Sequence, residues 1–259
     1  MLDEPFSLGS SRLHRMDARC KLPVACLCAL VFALIQSPEA AAAALGYAVL
    51  LVAVARLPLF SLLKRLAVVN IFIGLLWLFL PFSTPGTPVT TLGPFTATHE
   101  GLQLATLITL KSNAIVLSFI ALAATSSITA MGGALRALRV PDKLSLLFLF
   151  TWRYVHVIAQ EYSRLHTAAK VRGFVPSTAM HTYRTYANLA AMVLIRSWDR
   201  AERVNDAMRL RGFTGTFRSL RPAPLSGGDA AIAVLLSLPP LVYGLSRLIS
   251  TLMPISGTS

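Results

Sequence analysis

The 259-residue chain is 55% hydrophobic and only 14% charged, with a mean hydropathy of +0.64. A soluble domain carries about a quarter charged residues, so this composition excludes one and points to a bilayer. The formal charge is nonetheless +13, and residues 126–222 hold 15 Lys/Arg against 5 Asp/Glu; a basic block between hydrophobic spans indicates a cytoplasmic face beside anionic lipid, or a protein partner, rather than nucleic acid.

A helix needs about 20 apolar residues to cross the hydrocarbon core. Five stretches are candidates: 22–36, which is short unless Cys20 and Lys21 extend it, 40–57, 66–82, 102–125 and 230–249. The first holds Cys26 and Cys28 and follows Cys20. Cys26 and Cys28 fall on different helix faces, so all three read as small packing residues rather than a metal pair or disulfide framework. The N-terminus does not have the pattern of a cleaved signal peptide. The third stretch ends in the breaker cluster Ser83-Thr-Pro85-Gly86-Thr-Pro88. The fourth has Thr98 as predicted N-cap and Glu100 in its first turn. Lys111 lies well inside it, where a charge costs roughly 2.5–3.5 kcal/mol. A contact to a partner and an intramolecular or snorkelling solution both stay open for it. Pro239-Pro240 predicts a kink or break in the last stretch.

Loop charges orient these spans. The N-terminal segment carries Arg12, Arg15, Arg19 and Lys21, and the second loop carries Arg56, Lys64 and Arg65. The first loop, residues 83–98 and the tail after Thr251 carry no Lys or Arg. The positive-inside rule then places the N-terminus and residues 126–222 in the cytoplasm and the C-terminus outside, with Arg247 in mild disagreement. The chain divides into a membrane region (1–125), a cytoplasmic region (126–222) and a last span (223–259).

In the cytoplasmic region, residues 126–140 read as a short helix or irregular segment stopped by Pro141. Val155, Ile158, Tyr162, Leu165 and Ala169 then follow at steps of 3 and 4, one stripe of an amphipathic helix. Pro176 breaks it, Ser177 is a possible N-cap, and a second long helix runs to Arg211.

Both helices end alike. Arg164-Leu-His-Thr-Ala168-Ala-Lys170-Val171-Arg172-Gly173-Phe174 and Arg203-Val-Asn-Asp-Ala207-Met-Arg209-Leu210-Arg211-Gly212-Phe213 share the pattern Arg-x-x-x-Ala-x-basic-apolar-Arg-Gly-Phe, 39 positions apart. Gly supplies the left-handed residue that terminates a helix, and basic residues in the last turn oppose the helix dipole. Capping explains Lys170, Arg172 and Gly173 but does not require the earlier Arg and Ala. Arg164, Ala168 and Arg172, and likewise Arg203, Ala207 and Arg211, fall at i, i+4, i+8 on one face. A small residue between two arginines leaves a notch for another surface, and the guanidinium fork suits a partner's carboxylate.

Asp199, Glu202 and Asp206 lie near one face and raise the alternative of a metal site in a membrane-embedded lipid-modifying enzyme. Arg200, Arg203 and Arg209 stand at pairing distance along the helix, so intrahelical ion pairs are the expected use. His99-Glu100 is a weak metal-like pair. The chain has no P-loop, His-Glu-x-x-His, nucleophile elbow or Rossmann glycine pattern. An ATP-driven role would need an ATPase from another chain, and a self-sufficient permease is a third reading.

Three regions resemble the transmembrane T component of energy-coupling-factor (ECF) transporters, most closely the cobalt/nickel-type branch. Leu13-His14-Arg15-Met16-Asp17-Ala18-Arg19-Cys20-Lys21-Leu22 is similar to the family's Leu-His-Arg-Leu-Asp-Pro-Arg-x-Lys-Leu opening, with Ala18 for the usual Pro. Thr98-His99-Glu100-Gly101-Leu102 is typical of the fourth span, where Lys111 replaces a common Arg. The cytoplasmic block, from Trp152-Arg153-Tyr154 through Glu161 to Arg172-Gly173 and from Arg200-Ala-Glu202-Arg203-Val204 to Gly215, is the most specific part. The resemblance covers about residues 10–217. It implies an all-α membrane protein with about five transmembrane helices and two or three long amphipathic coupling helices, in the bacterial inner membrane. It implies a non-catalytic subunit without a cofactor of its own. The coupling-helix ends would dock two ABC ATPase subunits, which bind the ATP, and the remaining face would hold a substrate-binding S component. The docking positions would be Val171-Arg172-Gly173 and Leu210-Arg211-Gly212, where Val and Leu replace the usual Ala. The implied cargo is cobalt or nickel ions, with a vitamin such as biotin as the alternative.

Overall fold

The computed structural model describes residues 11–92, 95–215 and 227–252. Its elements are α1 (Arg12–Arg15), α2 (Ala18–Leu34), α3 (Pro38–Ala55), α4 (Leu59–Ser83), β1 (Pro88–Leu92), β2 (Phe95–Thr98), α5 (His99–Leu122), α6 (Ile128–Ala137), α7 (Asp142–Val171), α8 (Met180–Leu210) and α9 (Gly227–Leu252). They form two compact units, one from Glu4–Ala134 with Ala223–Ser259, the other from Leu135–Pro222.

Among the described residues of the first unit, four helices are long and apolar enough to cross a membrane: α3, α4, α5 and, over Gly227–Ser246, α9. α2 has 17 residues, about 25 Å, at the lower limit for a span. The core joins α2, α3 and α5. Ala41, Ala44, Ala48, Leu51 and Ala55 of α3 form a mostly small-residue stripe, which packs with Ala114, Leu117 and Ala121 of α5. Small side chains let helix backbones approach where lipid supplies no hydrophobic drive. α4 keeps Phe60, Val68 and Ile71 outward, the arrangement of a lipid-facing helix.

α4 begins seven residues before the predicted span and takes in Lys64 and Arg65. Both are good helix formers whose long stems carry the charge away from the apolar region. The predicted break at Pro239-Pro240 does not occur: α9 is one helix through both. Pro240 has no N–H for the carbonyl of Leu236, four residues before it. The Tyr47 hydroxyl of α3 donates to that carbonyl at 2.6 Å instead.

Lys111 donates to the carbonyl of Ala33 at 3.0 Å. Ala33 lies in the last turn of α2, where carbonyls lack helical partners and the dipole is negative. The solution is intramolecular, at a helix end.

The connection from α4 to α5 contains the antiparallel ribbon β1–β2, which the breaker cluster conceals in the sequence. Thr98 caps α5 as predicted, accepting from the Gly101 N–H at 3.3 Å. Its hydroxyl is also in reach of the carbonyls of Pro81 (3.2 Å) and Thr84 (2.9 Å) at the end of α4. Glu100 accepts from the Thr87 N–H at 2.8 Å. A Cβ on Gly101 would lie 2.7 Å from Pro81 Cα and 2.8 Å from the Leu80 carbonyl oxygen. The Thr-His-Glu-Gly sequence is therefore a clasp between two helix ends.

In the second unit, α7 and α8 are antiparallel helices of 30 and 31 residues, each about 45 Å long. The stripe read from Val155 belongs to a helix that starts at Asp142, directly after Pro141. Ser177 is not the N-cap of α8; Ala179 occupies that position, and the Ser177 N–H donates to Thr182 Oγ1 at 3.0 Å.

Candidate functional site: two matched helix ends

The two repeated sequences build the same backbone end. In α7, the Phe174 N–H donates to the Ala169 carbonyl and the Gly173 N–H to the Lys170 carbonyl. In α8, the Phe213 N–H donates to the Met208 carbonyl and the Gly212 N–H to the Arg209 carbonyl. Gly173 and Gly212 have φ of 84° and 79°. This double bond pattern around a left-handed glycine is a Schellman motif, formed twice. It fixes the last turn rigidly and presents the preceding Arg to solvent.

The phenylalanines after each glycine point in a shared direction: back toward the other helix. Phe174 lies against His181 (6.4 Å) and edge-on to Tyr186 (5.6 Å) of α8. His166 of α7 stacks between Tyr162 and Tyr186, at 5.9 and 6.2 Å. Phe213 lines a cleft with Phe150 and Tyr154 of α7. Each helix end is thereby braced on the start of its partner.

A second brace is ionic. Glu161 of α7 is buried, hydrogen-bonded to Arg196 of α8 and 3.9 Å from Arg164. The Arg196 hydrogen bond holds its carboxyl below the usual value, and the charges of Arg196, Arg164 and Arg200 add to the effect. The role of Glu161 is not legible in the sequence, because the pairing of α7 with α8 that brings Arg196 to it is not a local property.

The clefts differ at the two ends. On α7, Arg164, Ala168, Val171 and Arg172 line one of about 510 Å³ together with Ser163 and Thr167. On α8, Ala207, Arg211 and Gly212 line one of about 660 Å³, closed on the other side by Phe150, Arg153 and Tyr154 of α7. Ala168 and Ala207 each line one of these clefts. Arg203 and Leu210 are exposed but do not line the α8 cleft, and the contribution of Arg153 is one the repeat could not reveal. Val171 is 83% and Leu210 90% exposed, so an apolar side chain stands beside each terminal Arg. Among the described residues, Arg172, Arg203 and Arg211 have no carboxylate within 4 Å, whereas Arg164 and Arg196 are both drawn to Glu161.

Asp199, Glu202 and Asp206 do not form the expected intrahelical ion pairs among the described residues. All three are exposed, where water competes with weak pairing. No group of three or more His, Cys, Asp or Glu side chains among the described residues is arranged to hold a metal ion. Glu100, of the His99-Glu100 pair, is spent on Thr87.

The sequence profile of the cobalt transport protein family, CbiQ, matches residues 9–222, which span the N-terminal motif, the α4–α5 clasp and both helix ends. The chain belongs to the cobalt transport protein family. Members similar to it include the energy-coupling factor transporter transmembrane protein EcfT of Heliobacterium modesticaldum, 26% identical over 240 residues, 88% of this chain and 90% of that protein. The EcfT of Leuconostoc gelidum is 28% identical over 80% of this chain and 82% of its own length. The cobalt transport protein CbiQ of Rhodobacter capsulatus is 29% identical over 48% of this chain and 51% of its own. This cobalt transport protein family member is a multi-pass membrane protein of a transporter family, as its apolar helices require.

Proposed function

We propose that this chain is the transmembrane coupling subunit of an ATP-driven importer of the energy-coupling-factor type, carrying no catalytic group itself. The observation that carries the reading is the pair of matched capped ends, each presenting an exposed Arg with no carboxylate within 4 Å among the described residues, beside an alanine that lines a cleft. Two ABC ATPase subunits dock there, one per end, and hydrolyse the ATP. Arg172 and Arg211 pair with carboxylates on them through charge-assisted forks. Val171 and Leu210 bury against the ATPases; full burial of such a side chain contributes about 1.5–3 kcal/mol.

The Schellman caps make each last turn part of its helix. ATP-driven closure of the ATPases therefore moves two levers of about 45 Å rather than two flexible tips. The apolar faces of the levers, with Ile158 and Tyr162 on α7 and Leu194 and Trp198 on α8 exposed, carry a separate substrate-binding membrane subunit. The cargo is cobalt or nickel ions, captured by that subunit. The EcfT relatives, matched over most of their length, are named for no cargo, and a vitamin such as biotin is the second reading. Uptake of Co²⁺, Ni²⁺ and biotin by cells expressing the complete complex separates the two.

Arg172→Glu combined with Arg211→Glu inverts both contacts. The ATPases are expected to be lost from the affinity-purified complex and uptake to fall to background. Full recovery of the ATPases with unchanged uptake would overturn the docking assignment.

A further inference from the structure

The N-terminal motif has no part in the helix ends, yet it contains the most thoroughly buried charge described. Lys21 is 1% exposed, in the second turn of α2. Its Nζ donates to Ser126 Oγ at 3.2 Å and reaches Thr125 Oγ1 at 3.5 Å. Among the described residues no carboxylate lies within 4 Å of it. Asp17, four residues earlier, caps α2 by accepting from the Arg19 N–H at 2.9 Å. Its own backbone N–H donates to Asp229 Oδ2 at 3.4 Å.

Those partners are not scattered. Thr125 and Ser126 follow α5 in the turn that leads into α6, the helix along which the chain passes at Ala134–Leu135 from the membrane unit to the other. Asp229 sits in the first turn of α9, where the chain has returned from the unit 135–222. The block bearing the two helix ends is tied to the membrane helices by two covalent connections, and the start of α2 with its N-cap touches the approach to each. A buried ammonium left without its acceptors is strongly penalised, so Lys21 holds the first connection in place while Asp17 holds the second.

We infer that Asp17 and Lys21 are positioning residues that clamp both covalent connections of the coupling block to the membrane helices. A pull delivered at Arg172 and Arg211 is then transmitted to the membrane unit as displacement, instead of being absorbed by fraying of the chain around Ser126 and Asp229. The clamp rests on the coupling function proposed above. Its structural part, the ordering of the two connections, can be measured without any partner.

The test compares wild type, Lys21→Met and Ser126→Ala. Met keeps the apolar stem and removes the ammonium; Ala removes one acceptor and leaves Lys21 in place. In the purified chain, amide hydrogen exchange at 123–131 is expected to rise at least ten-fold in Lys21→Met and more modestly in Ser126→Ala, with 227–232, held through Asp17, and α3 amides from 44 to 51 unchanged. In the complex reconstituted in liposomes with its ATPases and membrane subunit, using Co²⁺ and Ni²⁺ as probes, Lys21→Met is expected to retain the ATPases and hydrolyse ATP within two-fold of wild type. Ion uptake per ATP hydrolysed is expected to fall at least five-fold. Should Lys21→Met fail to accumulate, Ser126→Ala carries both readouts. Unchanged exchange at 123–131 overturns the clamp, and so does an unchanged uptake ratio. A wild-type chain that recovers no ATPases overturns the coupling function instead.

Discussion

Gly173 and Gly212 occupy a left-handed conformation with open space where a Cβ would stand. Their cost of replacement is therefore conformational and not steric. A non-glycine residue there costs about 1–2 kcal/mol, and Asn, which tolerates the region better, costs less. Gly212→Ala is expected to lower the thermal midpoint of the purified complex and weaken ATPase retention, and Gly212→Asn to do so less; equal behaviour of the two would contradict the cap. Both glycines were legible in the sequence, because a basic turn followed by Arg-Gly is a local signal. Gly101 was not, because its reason is the approach of Pro81 and Leu80 from another helix. Asp199, Glu202 and Asp206 mark a different limit: spacing offers them arginine partners, and exposure removes the incentive to pair.

Among the helices, α9 shows how a breaker is overruled. Pro239-Pro240 should interrupt it, and in water would. The helix continues because Tyr47, on a separate helix, donates to the carbonyl that Pro240 orphans. Tyr47→Phe keeps the ring and removes the donor. In an apolar setting an unmatched carbonyl costs about 1–3 kcal/mol. The variant is expected to unfold at a lower temperature in detergent and to show faster exchange at the amides around position 240; wild-type stability would refute the assignment. For α7 and α8 the apolar stripe was readable at its 3- and 4-residue steps. What covers it was not, since Ile158 and Tyr162 stay about two-fifths exposed in the isolated chain.

At the scale of the whole molecule, the distribution of Lys and Arg favours one orientation, which we propose for this chain: residues 126–222 in the cytoplasm and the α2–α3 turn outward. In a cysteine-free background, Gln36→Cys is expected to react with a membrane-impermeant maleimide on intact cells, and Val175→Cys only after permeabilisation. The reverse labelling would overturn this orientation and remove the proposed ATPase-docking ends from the compartment that holds ATP. The sequence by itself determined the bilayer, the helical class, the basic block and the paired Arg-Gly ends, because apolar run length, charge bias and capping are properties of neighbouring residues. Only the tertiary structure decided that Lys111 serves a helix end, that Glu161 and Arg196 join α7 to α8, that Arg153 closes the α8 cleft, and that Lys21 meets Ser126. Each of those depends on which helices pack together, and burial then makes an unpaired charge or carbonyl too costly to leave unmet.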